Sequence, residues 1–200
     1  MKEYTITRVS GKPEWDNIPS LQVDVPNWEP PVDITTQAQI CYDETGIYVH
    51  MWSREAHIRA EESAPLSMVC DDSCMEFFFR PDERDGRYFN IEMNPLGRTY
   101  IGICYNRDWE CRLAPNEEDK LMEKTVRRTA DGWEVFYKVP VSFIQVFFPG
   151  YELKSGSKIY ANCFKCGEKT VQSHFLSWNP CTSPEPDYHQ PRDFGLMVLE

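Results

Sequence analysis

The chain has 200 residues, of which 41% are hydrophobic and 14% aromatic, enough for one domain (residues 1–200) with a sizeable core. Its formal net charge of −11 argues against nucleic acid and anionic membrane surfaces, both of which attract basic patches, but sets no penalty on neutral ligands such as sugars. Fifteen prolines and few apolar-periodic windows argue against a helical protein, and no apolar run approaches the length of a membrane span.

Met1–Trp28 lacks a basic segment followed by an apolar one, so no signal peptide is visible and a cytoplasmic chain is expected, secreted only if a leader has been trimmed. The eight cysteines are accordingly expected to be reduced thiols. Oligomeric state is not legible in the sequence.

Tyr4–Val9 alternates and predicts a first strand, followed by a loop or short helical turn over Gly11–Asn17 and an extended, Pro-rich stretch over Val23–Asp33. Ala38–Asp43 and Ile47–Ser53 flank Glu44-Thr45-Gly46, a hairpin signal. Arg54–Val69 is polar, with a helical turn expected over Ala56–Ser63. Cys74–Arg80 and Tyr88–Met93 form the next hairpin, turned by the Pro, Asp and Gly residues of Pro81–Gly86 and ended by Asn94-Pro95-Leu96-Gly97. Thr99–Tyr105 is a strand and Arg107–Asp119 a charged loop. Lys124–Thr129 and Trp133–Val139 flank Ala130-Asp131-Gly132, another hairpin. Val141–Phe147 reads as a short helix stopped by Pro149-Gly150, Lys158–Lys165 as a strand, Gly167–Asp193 as a long irregular segment, and Phe194–Leu199 as a closing strand. Short strands at regular spacing predict an all-β, antiparallel β-sandwich of jelly-roll or immunoglobulin-like form.

Strand side chains alternate between two faces. In the central hairpin Phe77, Phe79, Phe89, Ile91 and Met93 share apolar faces, whereas Glu76, Asn90 and Glu92 fall on polar ones. That row of carboxylate and amide groups on a sheet is a candidate ligand-facing surface. The long segment adds Trp178, Tyr188 and His189, and a structureless stretch of that length is commonly functional. Aromatic rings stack on the apolar faces of pyranoses while carboxylates and amides bind hydroxyls. The ligand-binding set is therefore Glu76, Asn90, Glu92, Trp178, Tyr188 and His189, without catalytic residues. Trp178 can equally plug the end of the core.

Other chemistries are weaker. Cys163-Phe164-Lys165-Cys166 is a C-x-x-C, with Cys70 and Cys74 as a second pair, but zinc ribbons hold such pairs on knuckle turns, whereas these lie at strand ends, so no metal is expected. A redox role lacks a βαβ context. Glu76 and Glu92 on adjacent strands also admit a glycoside hydrolase, a retaining pair needing carboxyls about 5 Å apart. The four histidines show no metalloprotease or nucleophile-elbow spacing, and His50 reads as structural.

Taken in order, the run Asp72–Phe78, the run Tyr88–Gly97, Ala130-Asp131-Gly132-Trp133, and the closing L-S-W-N-P and P-D-Y-H-Q-P-R-D-F-G segments resemble the family 9 carbohydrate-binding modules, in particular its stand-alone family 9-like proteins. The resemblance spans about Gln37 to Glu200. It implies a β-sandwich of jelly-roll or DOMON-like type that binds mono- or oligosaccharides, often xylan- or glucan-derived, without catalysis. Modules of this kind usually hang on xylanases, so an endoxylanase-type hydrolase or a subunit of one is the alternative. The family clamps its sugar between two tryptophans. Its strand glutamate matches Glu76, its second tryptophan falls on Tyr188 and a sugar-contacting arginine falls on Asn90, while its first tryptophan falls near Val69 or Cys70, neither aromatic. Some modules hold structural calcium, which stays possible here although no D-x-D-x-D-G loop occurs; no other cofactor is implied. DOMON-like relatives imply haem binding as a further alternative, with Met51, Met68, Met75, Met93 and His50 as candidate ligands.

Overall fold

The computed structural model describes all 200 residues. The first half of the chain supplies β1 (Glu3–Arg8), β2 (Ser20–Gln22), β3 (Val25–Pro26), β4 (Thr35–Asp43), β5 (Gly46–Arg54), β6 (Cys74–Arg80) and β7 (Tyr88–Met93). The second half adds β8 (Thr99–Asn106), β9 (Trp109–Leu113), β10 (Thr125–Arg128), β11 (Gly132–Pro140), β12 (Lys158–Gly167), β13 (His174–Ser177) and β14 (Gly195–Leu199).

These strands build two layers. The first runs β10-β11-β5-β4, with β2 on β4; the second runs β9-β8-β7-β6-β12-β14, with β13 also on β12 and β3 on β13. β1 joins them, pairing through Glu3–Ile6 with β14 and through Thr7–Arg8 with β4. Both of those pairings are parallel, so the sheet is mixed, against the purely antiparallel expectation. All the remaining ladders are antiparallel.

Alternation decides what is interior. Ala38, Ile40, Val49, Met51, Trp133 and Val135 of the first layer meet Phe77, Phe79, Phe89, Ile91, Cys163 and Met197 of the second in one continuous core. The helix Val141–Phe147 forms where expected, and its Ile144 packs against this core. A second apolar cluster lies on the opposite face of the second layer, where Phe78, Tyr88, Cys104 and Phe164 are covered by Tyr188 of the long segment and by Phe194, which follows it. Both faces of the central strands are therefore buried.

Three local expectations change. Ala56–Ser63 has no helical turn. The charged loop Arg107–Asp119 contains strand β9, which extends the sheet beyond β8, and the long segment contains β13, which pairs Phe164–Gly167 of β12. Both are hairpins onto the preceding strand, and the polar composition of these stretches conceals a pairing that context decides.

Beyond the β13 ladder, the long segment is held by side chains. Asn162 donates to the Asn179 carbonyl (2.9 Å) and accepts from the Asn179 N–H (2.9 Å), and Asp193 accepts from the Thr182 backbone and hydroxyl (2.7 and 2.8 Å). Asp72 is fully buried and accepts from Arg59, the Glu61 and Glu62 N–H groups and Asn94. Asn94 in turn accepts from the Leu96 and Arg98 N–H groups, shaping the turn after β7. The most distinctive polar residues of these sequence runs are thus structural clamps.

Candidate functional site

A cleft of about 270 Å³ opens on the outer face of the second layer. Strands β6, β7 and β12 present Glu76, Glu92 and Cys166 to it, β8 and the β8–β9 turn present Tyr100 and Arg107, and the long segment presents Asp187, Tyr188 and His189. Period-two alternation puts Glu76 and Glu92 on this face, and the β6–β7 register sets them directly opposite one another.

The polar row is buried, not solvated: Glu76 is 2% exposed and Glu92 7%. Burial raises Glu76 to about 7, against a weaker opposing effect of the Cys166 thiol, which donates to its carboxylate at 2.9 Å. Burial, and then the neighbouring charge of Glu76, hold Glu92 well above the usual carboxylate range. Loss of hydration disfavours the charged form and two close acids disfavour each other's ionisation.

Asn90 lies beneath the floor, fully buried, and donates to Glu92 at 2.9 Å while accepting from the Cys104 thiol at 3.4 Å. It acts by orienting Glu92 and does not itself line the cleft. Its side chain lies across Gly102 of β8, where an added Cβ would stand 2.0 Å from the Asn90 amide oxygen. Glycine at 102 is what lets the amide lie flat.

Tyr188 stacks on Phe164 (ring centroids 4.0 Å, 17° between planes), and its hydroxyl donates to the carbonyls of Leu176 (3.1 Å) and Lys165 (3.3 Å). With the hydroxyl so engaged, the ring is fixed as a shelf. His189 pairs through Nδ1 with the Tyr88 hydroxyl (2.8 Å), and burial lowers its pKa, so it is a neutral polar group at the rim.

Trp178 is elsewhere. It is 4% exposed within the interior core, its ring against Gly195, where an added Cβ would come within 2.4 Å. The reading of Trp178 as a ligand-stacking residue is corrected to its other reading, a plug of the core.

The second aromatic comes from a place that motif spacing did not indicate. Trp28 lines the cleft 5.4 Å from the Tyr188 ring and edge-on to Phe175 (5.5 Å, 82°), with its Nε1–H donating to the Ser183 carbonyl at 2.8 Å. Its φ of +57° is a left-handed conformation that costs a non-glycine residue roughly 1–2 kcal/mol and is maintained by these contacts. The signal in the sequence was a tryptophan within the Pro-rich run 26–31, where no strand can bury it. Tyr100, Arg107, Glu110 and Asp187 were also not singled out. Tyr100 donates its hydroxyl to Glu110, and Arg112 stacks over the Tyr100 ring at 4.0 Å, so these three form one supported wall.

Three groups bring metal-ligating atoms together on this face: Cys74 with Glu76 and Cys166, Cys104 with Glu110 and His189, and Cys70 with Asp71 and Glu168. Each contains a thiol, whereas calcium takes six to eight oxygen ligands, so these groups do not suit it. The suggested haem ligands do not converge: Met51, Met75 and Met93 are core residues, Met68 is half-exposed beside the cleft, and His50 stacks between Phe136 and Trp52 on the first layer.

A family model described as carbohydrate-binding family 9 matches residues 12–199. No curated protein matches the chain significantly. Among solved structures, a candidate carbohydrate-binding protein from Bacteroides uniformis is 27% identical, with a TM-score of 0.86 over 100% of this chain and 99% of that one. A family 9 carbohydrate-binding module from Caldicellulosiruptor kristjanssonii, solved with glucose and with cellotriose, is 11% identical. Its two structures give TM-scores of 0.71 and 0.70 over 100% of this chain and 96% and 94% of theirs, a likeness of fold.

Proposed function

Because the chain belongs to carbohydrate-binding family 9, a family of non-catalytic sugar-binding proteins, we propose that the cleft between Trp28 and Tyr188 is its sugar site. The observation that supports this most directly is the placing of two aromatic rings beside a buried carboxylate pair. The rings offer apolar surface to the C–H face of a pyranose, and Glu76 and Glu92 offer acceptors to its hydroxyls. Asp187, His189 and Arg107 add polar groups at the mouth. At about 270 Å³ the cleft suits one or two pyranose units, so a glucan- or xylan-derived mono- or disaccharide end is the ligand class.

The chain binds sugar without hydrolysing it. The raised Glu76 and Glu92 serve recognition, since a protonated carboxyl donates as well as accepts a hydrogen bond and so matches a hydroxyl in either sense.

Calorimetric titration with glucose, cellobiose, xylose and xylobiose tests this reading. Saturable heat is expected for at least one sugar, with Glu92→Gln and Trp28→Ala each weakening it; a lost neutral hydrogen bond is worth about 0.5–1.5 kcal/mol. Heat that survives both substitutions unchanged would place the site elsewhere.

A further inference from the structure

The C-x-x-C at Cys163–Cys166 does not act as a pair. Alternation along β12 sends Cys163 into the interior core and Cys166 to the cleft face, so the two thiols lie on opposite sides of the sheet. What Cys166 meets is Cys74, its direct register partner on β6 and 92 residues away in sequence. Glu76 is two positions further along β6 on the same face. The two sulfurs and a Glu76 carboxylate oxygen all lie within 4.8 Å of one another, and all three residues are buried.

No lysine or arginine forms an ion pair with Glu76, Glu92 or Glu168. The nearest buried cation, Lys165, has its Nζ on Glu55 and His174 instead. The cluster thus combines two soft donors and one hard one, two of them lining a solvent-connected cleft; Lys165 and Arg107 act on Glu76 only at longer range, without an ion pair. Thiolate and carboxylate together select borderline-soft divalent ions, zinc foremost, at ligand distances of about 2.0–2.3 Å. Drawing three atoms already within 4.8 Å of one another onto one ion needs only side-chain rotation on a rigid two-strand floor.

We propose that Cys74, Glu76 and Cys166 bind a single thiophilic divalent cation, zinc by class, at the base of the cleft. Binding forms two metal–sulfur bonds and one metal–oxygen bond, and each thiol, and the Glu76 carboxyl where it carries one, releases its proton to solvent. Three protein ligands leave a fourth position for water or an incoming ligand hydroxyl. Trp28, Tyr188 and Glu92 stay free for sugar, whereas Glu76 is shared with the proposed sugar site, so the test uses metal alone, without sugar.

The test uses the full chain, reduced and freed of metal with a chelator, titrated with cobalt(II) alone and then with zinc(II). Expected is one equivalent bound, an intense near-ultraviolet thiolate-to-cobalt charge-transfer band, and its loss on zinc addition. Cys74→Ser and Cys166→Ser should each weaken binding by at least ~10–100-fold, the cost of losing even a group that only hydrogen-bonds a ligand, and the exposed-thiol control Cys111→Ser should leave it unchanged. Glu76→Gln keeps both thiols and covers the case in which a serine variant does not fold; it should weaken cobalt binding while retaining a charge-transfer band. Absence of the band in folded reduced protein would overturn the proposal, as would a band that persists at full strength in folded Cys74→Ser and Cys166→Ser. So would peptide mapping that finds Cys74 and Cys166 joined as a disulfide after reduction and metal exposure.

Discussion

Lys165→Met removes one half of a buried ion pair. The Lys165 side chain is fully buried, its Nζ 3.3 Å from a Glu55 carboxylate oxygen whose side chain is 2% exposed. Glu55 also accepts from Trp133 Nε1 (2.7 Å) and the Ser73 hydroxyl (2.8 Å), so after the substitution its charge keeps two donors and loses its cation. Methionine retains the aliphatic stem, which isolates the electrostatic change. Breaking a buried pair from one side costs about 3–5 kcal/mol; the two remaining donors argue for about 3. Urea unfolding at pH 7, followed by tryptophan fluorescence, measures it. Adding Glu55→Gln to Lys165→Met should recover part of the loss, because the stranded charge is then gone. Lys165 also adds to acid sensitivity. Burial first, and then the charge of Lys165, push His174 down to about 4 from an ordinary 6.5. A depressed histidine contributes stability in full above its unfolded pKa, and that contribution is lost as pH falls towards 4. By pH 5 the loss is about 2 kcal/mol, at 1.36 kcal/mol per unit. With Lys165 absent, the slope between pH 7 and pH 5 should flatten. A cost below about 1 kcal/mol at pH 7, or an unchanged slope, would refute the account of this network.

Trp28→Ala and Trp178→Ala should separate cleanly: the first lowers sugar affinity about tenfold or more in calorimetry with a small change in Tm, whereas the second removes a core side chain and costs about 3–5 kcal/mol in denaturant unfolding. Asp72→Ala leaves Arg59, two backbone N–H groups and Asn94 without their acceptor, and should destabilise by about 3–5 kcal/mol, with faster amide exchange at Glu61 and Glu62. Gly102→Ala places a methyl group against the Asn90 amide, so Glu92 loses its positioning donor; about 1–3 kcal/mol of stability and part of the sugar affinity should go together.

The β6–β7 hairpin was readable residue by residue because its information is local. Period two and the turn Pro81–Gly86 suffice to place Phe77 and Ile91 on one face and Glu76 and Glu92 on the other. The same locality made the hairpins 43–46 and 128–132 legible. Family motifs indicated Tyr188, and the structure brings it to the cleft. Alternation says which residues share a face but not whether that face meets water. Glu92 is buried beside Glu76 and Asn90, with Glu110 and Arg112 of β9 near it, and that burial raises its pKa. Trp28 and Trp178 look alike in sequence, each a tryptophan near proline. One reaches the cleft because β3 pairs with β13, and the other enters the core because Gly195 leaves room for its ring. The parallel seating of β1 between β14 and β4 joins residues from both ends of the chain. So does the meeting of Cys74 with Cys166, which a reading of C-x-x-C assigns to the wrong partner. Local stereochemistry sets the strands and their faces; pairing between distant strands, which no short window encodes, sets which faces become a site.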